Sequence, residues 1–463
     1  MTRISGWGRA QSSESDVVDL TTVGEARELF ARAQDRTDFP RGVTFRGLGR
    51  SYGDASINSG GTVAVCTHSF QSDDAGPSIH IDTQNQRARV SAGVSIEHLL
   101  RALVPAGFFV PVTPGTRYVT VGGAIASDIH GKNHHIDGAF GQHVSAMTVM
   151  LSNGEAVTLD PVSTPEWFWA TVGGMGLTGM VLDATIDLIP ITSNLIEVTT
   201  QRTTHIDELF AIMGNSHDDD QCRYSVAWVD MLSKGDSFGR GVLTRGNHAQ
   251  LENVARDGEY ALEYDPRTRV SVPRFFPNGV LNAATIRVFN ELWFRKAPAS
   301  PTVTHESITG FFHPLDGVRH WNRMYGSKGF LQYQCVVPLH ATHVLKDVIS
   351  MMQQAKIPAF LAVLKRMGPA NPGLLSFPME GWTLAVDIAV GAAHLSTALS
   401  EIDEVVISAG GRHYLAKDAH MTPSTFERGY PQLNTWRSIQ REMDPRGIWT
   451  SDLDRRLCVV GAR

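Results

Sequence analysis

The chain offers almost no cysteine chemistry. Its 4 cysteines, Cys66, Cys222, Cys335 and Cys458, lie far apart and none falls in a CxxC or CxxH spacing. That disfavours a structural zinc site and thiol redox chemistry and leaves buried, reduced thiols as the default. Long hydrophobic runs are missing too. No uninterrupted apolar stretch approaches the about 18 residues of a membrane span, and Met1-Thr2-Arg3-Ile4-Ser5-Gly6-Trp7 lacks the apolar centre of a signal peptide. A soluble or peripherally attached protein is expected. Concentrated positive charge is also absent: the net charge is −6 and basic residues are dispersed, against the basic face that a nucleic-acid partner requires. There is no internal repeat, no low-complexity tract and no GxxxxGK[ST] phosphate loop.

What the chain does have is glycine in clusters. The densest signal is Pro114-Gly115-Thr116-Arg117-Tyr118-Val119-Thr120-Val121-Gly122-Gly123-Ala124-Ile125-Ala126-Ser127-Asp128-Ile129-His130-Gly131, followed by Lys132-Asn133-His134-His135. Glycines there remove Cβ atoms where a backbone bends or is approached closely. Upstream, Arg46-Gly47-Leu48-Gly49-Arg50-Ser51-Tyr52-Gly53-Asp54 follows the strand-like Val43-Thr44-Phe45. Backbone amides in such a loop suit phosphate oxygens, with Ser51 adding a hydroxyl. Gly47-Leu48-Gly49 is not continued by the third glycine and helix of a dinucleotide βαβ unit. A third cluster, Val172-Gly173-Gly174-Met175-Gly176-Leu177-Thr178-Gly179, precedes the alternating Met180 to Leu188. Two phosphate-suited loops point to one extended, phosphate-bearing cofactor; a plain glycine turn between buried strands is the bland alternative.

These loops, together with Phe330-Leu331-Gln332-Tyr333-Gln334, Ala416-Lys417-Asp418 and Asp444-Pro445-Arg446-Gly447-Ile448-Trp449, resemble FAD-dependent oxidoreductases of the vanillyl-alcohol oxidase type. More closely, the chain is similar to the family of FAD-containing oxidase subunits of decaprenylphosphoryl-β-D-ribose 2′-epimerases, over nearly its whole length. The resemblance implies an α+β, two-domain FAD-binding fold in which a substrate cap with an antiparallel sheet is inserted. Residues 1–193 then form the main FAD-binding part, 194–410 the cap, and 411–463 a segment returning to the first domain. Helices are expected at 23–36, 95–106, 341–354 and 393–408.

The resemblance also implies roles. FAD is expected on Arg46 to Asp54, its pyrophosphate on amides of Gly47 to Gly53 and of Thr120, Val121, Gly122 and Gly123, with Gly115 permitting close approach. Ser127, Asp128, Ile129 and His130 are expected along the isoalloxazine, with Val181 and Tyr414 as further contacts. Relatives that tether FAD covalently carry histidine where this chain has Arg50, so dissociable FAD is expected unless His130 or another histidine makes the link. His130 reads either as a positively polarised imidazole near the flavin or as a hydrogen-bonded loop organiser. A metal site at His130, His134 and His135 is disfavoured, because no carboxylate or cysteine completes it.

Lys417 matches the lysine on the substrate side of the flavin, where it assists the reacting hydroxyl; a surface pair with Asp418 is the alternative. Tyr52 is expected near the flavin and the mouth of the site. Gln332 and Gln334, two apart on a strand, share a face and can address sugar hydroxyls. Lys365 interrupts an apolar strand and suits a phosphate; Trp228 reads as cap core. Thr383 and Ala385 stand where mycobacterial relatives typically carry Asn and Cys, so the thiol attacked by nitroaromatic inhibitors of the family is missing and a sugar contact is shortened. The segments 264–282 and 313–329, with prolines, aromatics and basic residues, read as mobile covers over a lipid-linked substrate.

The implied reaction is FAD-dependent oxidation of the 2-hydroxyl of a polyprenylphosphoryl ribose, serving arabinan of the cell wall. A separate NAD(P)H-dependent short-chain reductase then completes epimerisation, and quinone or oxygen reoxidises the flavin. By sequence the protein is cytoplasmic or peripheral at the plasma membrane, while the resembled family is placed at the cell envelope. A soluble sugar-alcohol or aldonolactone oxidase and a non-catalytic flavin-binding subunit stay open.

Overall fold

The computed structural model describes residues 1–67, 78–215, 220–253, 261–266, 268, 270–277, 279–391 and 394–461. Local signals start the elements as expected. Thr22 and Glu25 close a capping box that opens the helix Val23–Ala33, and Ser95 accepts the His98 N–H to open Ile96–Leu103. The latter stops before 106 because the chain tightens into a 3-10 turn at Val104–Ala106 and leaves it on Gly107 at φ 82°. Ile96, Leu99, Leu100 and Leu103 form its buried stripe. The cap helices run Thr342–Gln354 and Leu395–Ser408; residue 393, expected to begin the second, lies outside the described residues.

Two smaller sheets carry the glycine loops. A four-stranded sheet orders Thr2–Ser5, Ser12–Asp19, Thr62–Val65 and Val43–Arg46, and a five-stranded antiparallel sheet orders Ile79–Asp82, Arg87–Ser91, Met180–Asp187, Val144–Met150 and Ala156–Leu159. One apolar core joins them and takes in Trp436, Trp449 and Leu453 from the far end of the chain. The return is specific: Val43 N–H donates to Ile448 O at 2.8 Å, Trp436 Nε1 to Ala170 O at 2.9 Å, and Arg456 reaches both Asp54 oxygens at 2.7 and 2.8 Å.

The third layer is an eight-stranded antiparallel sheet ordered Thr302–Ser307, Leu195–Thr203, Gly241–His248, Tyr224–Val229, Ala359–Met367, Gly381–Ala389, Phe330–Val337 and Arg412–His413. The architecture is the expected α+β class with an antiparallel sheet in its second part. Because Arg412–His413 still pairs with Phe330–Val337, the chain leaves this sheet after 413 rather than at 410. Strand alternation splits the sheet into two faces. Tyr333, Cys335, Val337, Leu364, Leu384 and Val386 join a core under three helices. Gln332, Gln334, Lys365, Thr383, Ala385 and Asp387 alternate onto the opposite face.

The expected cover at 313–329 is instead packed. Trp321 and Tyr325 are buried with Tyr52 and Phe330, Asn322 Nδ2 donates to Trp7 O, and the Asp316 carboxylate accepts from Thr116 Oγ1 and Arg117 N–H, both at 2.8 Å. Its aromatics serve a second core, not a loose loop. In the other stretch, 267, 269 and 278 lie outside the described residues, while Val270–Ser271 pairs in parallel with Val318–Arg319.

Candidate active site

The first glycine loop leaves Val43–Arg46 and is braced from both sides. Arg46 donates to Ser56 O and to Ser5 O, and Trp7 and Gly8 N–H groups donate to Ser51 O and Tyr52 O. Tyr52 N–H donates to Ala416 O at 2.9 Å, and a Cβ added at Gly53 would stand 1.9 Å from Asp418 O, so the loop and the segment bearing Lys417 are in backbone contact. A Cβ at Gly47 would meet Thr120 Oγ1 at 2.4 Å, which brings the two glycine segments together. Gly49 turns the loop at φ 64°.

Whether these residues fit an extended anionic group is decided by what the protein leaves unclaimed. The amides of Gly47, Leu48, Gly49, Arg50 and Ser51 find no acceptor among the described residues. Such a run of free N–H groups suits phosphate oxygens. The second segment differs from expectation. Val121 N–H donates to Val94 O, Gly122 N–H to Ala92 O and Gly123 N–H to its own N-cap Thr120 Oγ1, so these three amides are already satisfied. Val121 to Gly123 therefore contribute shape, while the Thr120 amide finds no acceptor among the described residues. Gly115 faces open space. Arg50 donates to Leu48 O at 2.6 Å and lays its guanidinium 4.3 Å from the Trp7 ring and 5.5 Å from Tyr118.

The stretch from Ser127 to His130 also sorts differently by residue. Asp128, at φ 40°, is a buried hub that accepts from Gly141 N–H, Asn371 Nδ2 and Ser376 Oγ at 2.9, 2.7 and 2.6 Å. Its carboxylate is committed to holding three segments together. Ser127 O accepts from Tyr414 OH at 2.8 Å, Ile129 is buried in the main core, and Val181 lies at an irregularity in the five-stranded sheet. His130 Nε2 accepts from Gln334 Nε2 at 3.0 Å, and its ring sits 5.1 Å from Tyr414 and 5.4 Å from Phe377. Burial, then the nearby Lys365, holds its pKa well below the usual imidazole range. It is a neutral ring, which corrects the positively polarised reading. Its buried Nδ1 has no partner among the described residues, an orphan donor that fits a bound polar group. His134 Nδ1 accepts from Gly368 N–H, and His135 Nε2 contacts Cys222 O at 3.1 Å, so both brace the loop.

The cap sheet closes the site opposite the loops. Gln334 Nε2 also donates to Thr383 Oγ1 at 3.2 Å, and Thr383 donates to Cys335 O. Lys365, in register with Thr383, reaches Gly131 O at 3.4 Å. Trp228 is in register with Val363, while its neighbours Ala227 and Val229 enter the helix-covered core, so Trp228 belongs to the site face and not to the cap core. Lys417 makes no pair with Asp418, which is held by Arg456 at 2.8 Å; Lys417 Nζ lies 3.7 Å from the centre of the Tyr52 ring.

The sequence reading missed Asp387 and Tyr325. Asp387 is buried, accepts from Gln332 Nε2 at 2.5 Å and Tyr325 OH at 3.2 Å, and is the carboxylate that acts on Lys417. The signal was present in the alternation Thr383-Leu384-Ala385-Val386-Asp387, which puts 383, 385 and 387 on one face. Burial pulls the Lys417 ammonium down to about 7 against the opposing pull of Asp387, and pushes Asp387 up to about 6. Lys365 falls to about 7 and Lys132 to about 8, both by burial first. Two half-buried lysines, Lys365 and Lys417, with Asp387 facing the latter, make a site suited to a phosphorylated, hydroxyl-bearing ligand; Lys132 instead donates to Phe311 O and lies 4.0 Å from the centre of the Phe311 ring.

Comparison with known proteins agrees. A model of FAD-binding domains matches residues 17–160, and a model of D-arabinono-1,4-lactone oxidases matches residues 329–457. The chain is 41% identical to decaprenylphosphoryl-β-D-ribose oxidase of Mycolicibacterium smegmatis over 98% of this chain and 97% of that protein. It is 34% identical to an uncharacterised protein of Streptomyces coelicolor, covering 79% of this chain and 100% of that one. L-gulonolactone oxidase of Mus musculus shares 23% identity over 93% and 92%. With full-length identity at this level and an amide-lined loop inside an FAD-binding-domain match, the chain belongs to the family of FAD-dependent decaprenylphosphoryl-β-D-ribose oxidases.

Proposed function

We propose that this protein oxidises the 2-hydroxyl of a polyprenylphosphoryl-β-D-ribose to the 2-keto sugar lipid. The observation that carries the reading is Lys417: a cation without an ion pair among the described residues, set against Tyr52 between the amide-lined loop and the polar face of the cap. Bound FAD supplies the two-electron acceptor for the alcohol. The amides of Gly47 to Ser51 would hold its pyrophosphate, and His130 would have its unclaimed Nδ1 to offer as a donor. Gln332, Gln334 and Thr383 hold sugar hydroxyls from one sheet face, while Lys365 takes the phosphate. Lys417 Nζ, neutral above its lowered pKa, accepts the hydroxyl proton. Asp387 is a positioning residue that sets the charge state of Lys417.

The product goes to a separate NAD(P)H-dependent reductase, and quinone or oxygen reoxidises the flavin. The support for the substrate is the full-length relative named for it. The lactone-oxidase match at 329–457 favours a second reading, oxidation of a free aldonolactone. An anaerobic half-reaction separates the two. A polyprenylphosphoryl ribose is expected to bleach the flavin absorbance and free lactones to leave it, and Lys417→Ala should retain FAD while slowing bleaching by about 10²-fold or more. Bleaching by lactones alone, or unchanged by Lys417→Ala, would overturn the reading.

A further inference from the structure

We propose that Asp403 is a positioning residue for Lys417: from behind the cap sheet its carboxylate closes the base of the turn that carries the lysine and so fixes where the proton acceptor stands. The inference rests on the function proposed above for the role of Lys417; the closure of the turn does not.

Asp403 lies on the inner side of the helix Leu395–Ser408, 2% exposed, in the core that holds Leu399, Ile402 and Val406. A carboxylate buried there is costly unless it is bonded and paired. Its partners come from beyond its own helix. Tyr333 OH, on the strand Phe330–Val337, donates to Oδ1 at 3.0 Å. His413 Nε2 lies 3.1 Å from the same oxygen and 2.7 Å from Tyr333 OH, and His420 Nε2 lies 3.6 Å from Oδ2. Apolar side chains would join this helix to the strand at less cost; what the polar cluster adds is direction.

The two oxygens hold opposite sides of one turn. His413 precedes it and His420 follows it. Between them Tyr414 N–H donates to Gln334 O at 3.1 Å, and the Lys417 and Asp418 N–H groups donate to Tyr414 O at 2.9 and 3.0 Å. Packing from below does not set this turn, because a cavity lined by Tyr333, Asp403, His413, Asp418 and His420 lies against it. Nor does a second side-chain bond aim His413: its buried Nδ1 has no partner among the described residues, so the ring is oriented through Nε2. Strand alternation keeps the cluster apart from the ligand side, with Tyr333 behind the sheet and Gln332 and Gln334 in front of it. Burial and Asp387 set the charge of Lys417. Asp403 sets its place.

The test compares the FAD-loaded full chain with Asp403→Leu, Asp403→Asn and His420→Ala, by hydrogen exchange and by anaerobic flavin reduction. Leucine suits the apolar surroundings, and Tyr333 OH and His413 Nε2 stay bonded to one another, so the fold is expected to survive. In Asp403→Leu the amides of Lys417 and Asp418 should exchange faster by about tenfold or more, while those of the strand Met180–Asp187 keep their rates. The limiting rate of reduction by a polyprenylphosphoryl ribose should fall by about tenfold or more, with the half-saturating lipid concentration and the pH midpoint unmoved. Asp403→Asn, which keeps one oxygen for Tyr333 and His413, should recover most of both, and His420→Ala, which opens one side only, should show both changes to a smaller degree. Glu404→Gln, on the exposed side of the same helix, should show neither. Unchanged exchange at Lys417 and Asp418 overturns the proposal. So does an undiminished limiting rate, or a displaced midpoint, which would make Asp403 an electrostatic partner instead. If Asp403→Leu fails to fold, His420→Ala decides on the same readouts. Faster exchange in a protein whose bleaching Lys417→Ala does not slow would leave the closure of the turn standing and sink the reading of Lys417 as proton acceptor.

Discussion

Lys417 owes its chemistry to its surroundings more than to its type. A lysine in water is protonated at neutral pH and accepts no proton. Burial against the Tyr52 ring lowers it to about 7, and Asp387, itself raised to about 6, opposes the fall. The sign of each perturbation gives a prediction. Flavin reduction by the ribosyl lipid should rise with pH through about 7 as Lys417 loses its proton. Asp387→Asn removes the negative charge that favours the ammonium, so the midpoint should move down by about one unit. Stopped-flow traces over a pH series check it; an upward move or an unmoved midpoint refutes the assignment, and outright loss of reduction would make Asp387 the base. Gln332, Tyr325 and Tyr52 face Asp387, and Lys365 acts on His130 from the neighbouring strand and is itself acted on by Lys417, so the profile of the exposed Arg428→Met serves as a control. Arg50 carries a second prediction at this scale. Its guanidinium rests on Trp7 and is no nucleophile, so acid precipitation should release yellow FAD into the supernatant; a yellow pellet would show a covalent link.

At the scale of elements, the cap strands and the first glycine loop show why some of the site was legible and some was not. Alternation alone put Gln332 and Gln334 on one face, and the same rule would have delivered Asp387 had the strand at 381–389 been read residue by residue. What a strand pattern cannot give is the partner across the sheet: that Gln334 meets His130, 204 residues earlier, depends on tertiary packing. Likewise the glycines of the second segment advertised close approach, yet Gly122 approaches Ala92 of the protein itself. Aromatics and basic residues at 313–329 suggested a loose cover because sequence does not show that Trp321 and Tyr325 have a buried cluster to join. The loop itself gives a sharp test. Gly53→Ala would push a methyl group against Asp418 O, so it should cost about 2–3 kcal/mol of stability in urea unfolding and weaken FAD retention together. Loss of neither would mean that the contact relaxes freely.

For the whole molecule, the decisive feature is that the end of the chain returns to its beginning. Arg456 bridges Asp54, at the end of the glycine loop, and Asp418, beside Lys417, while Trp436 and Trp449 complete the first core. Arg456→Met would leave two buried carboxylates facing one another without their cation. It should destabilise the folded protein by about 3 kcal/mol, read as a lower urea midpoint, whereas Arg428→Met, whose pair with Glu404 is exposed, should change it by less than about 1 kcal/mol. Equal effects would dismiss the clasp.

Residues 416 to 418 touch three things at once: the loop through Tyr52 and Gly53, the carboxyl terminus through Arg456, and the cap through the strand Arg412–His413 just before them. The lysine is therefore mounted on the seam itself, like a contact on a relay. The amide-lined loop and the lysine thus share one backbone contact, Tyr52 N–H to Ala416 O, so the position of the proton acceptor is set by the same segment that lines the cofactor loop.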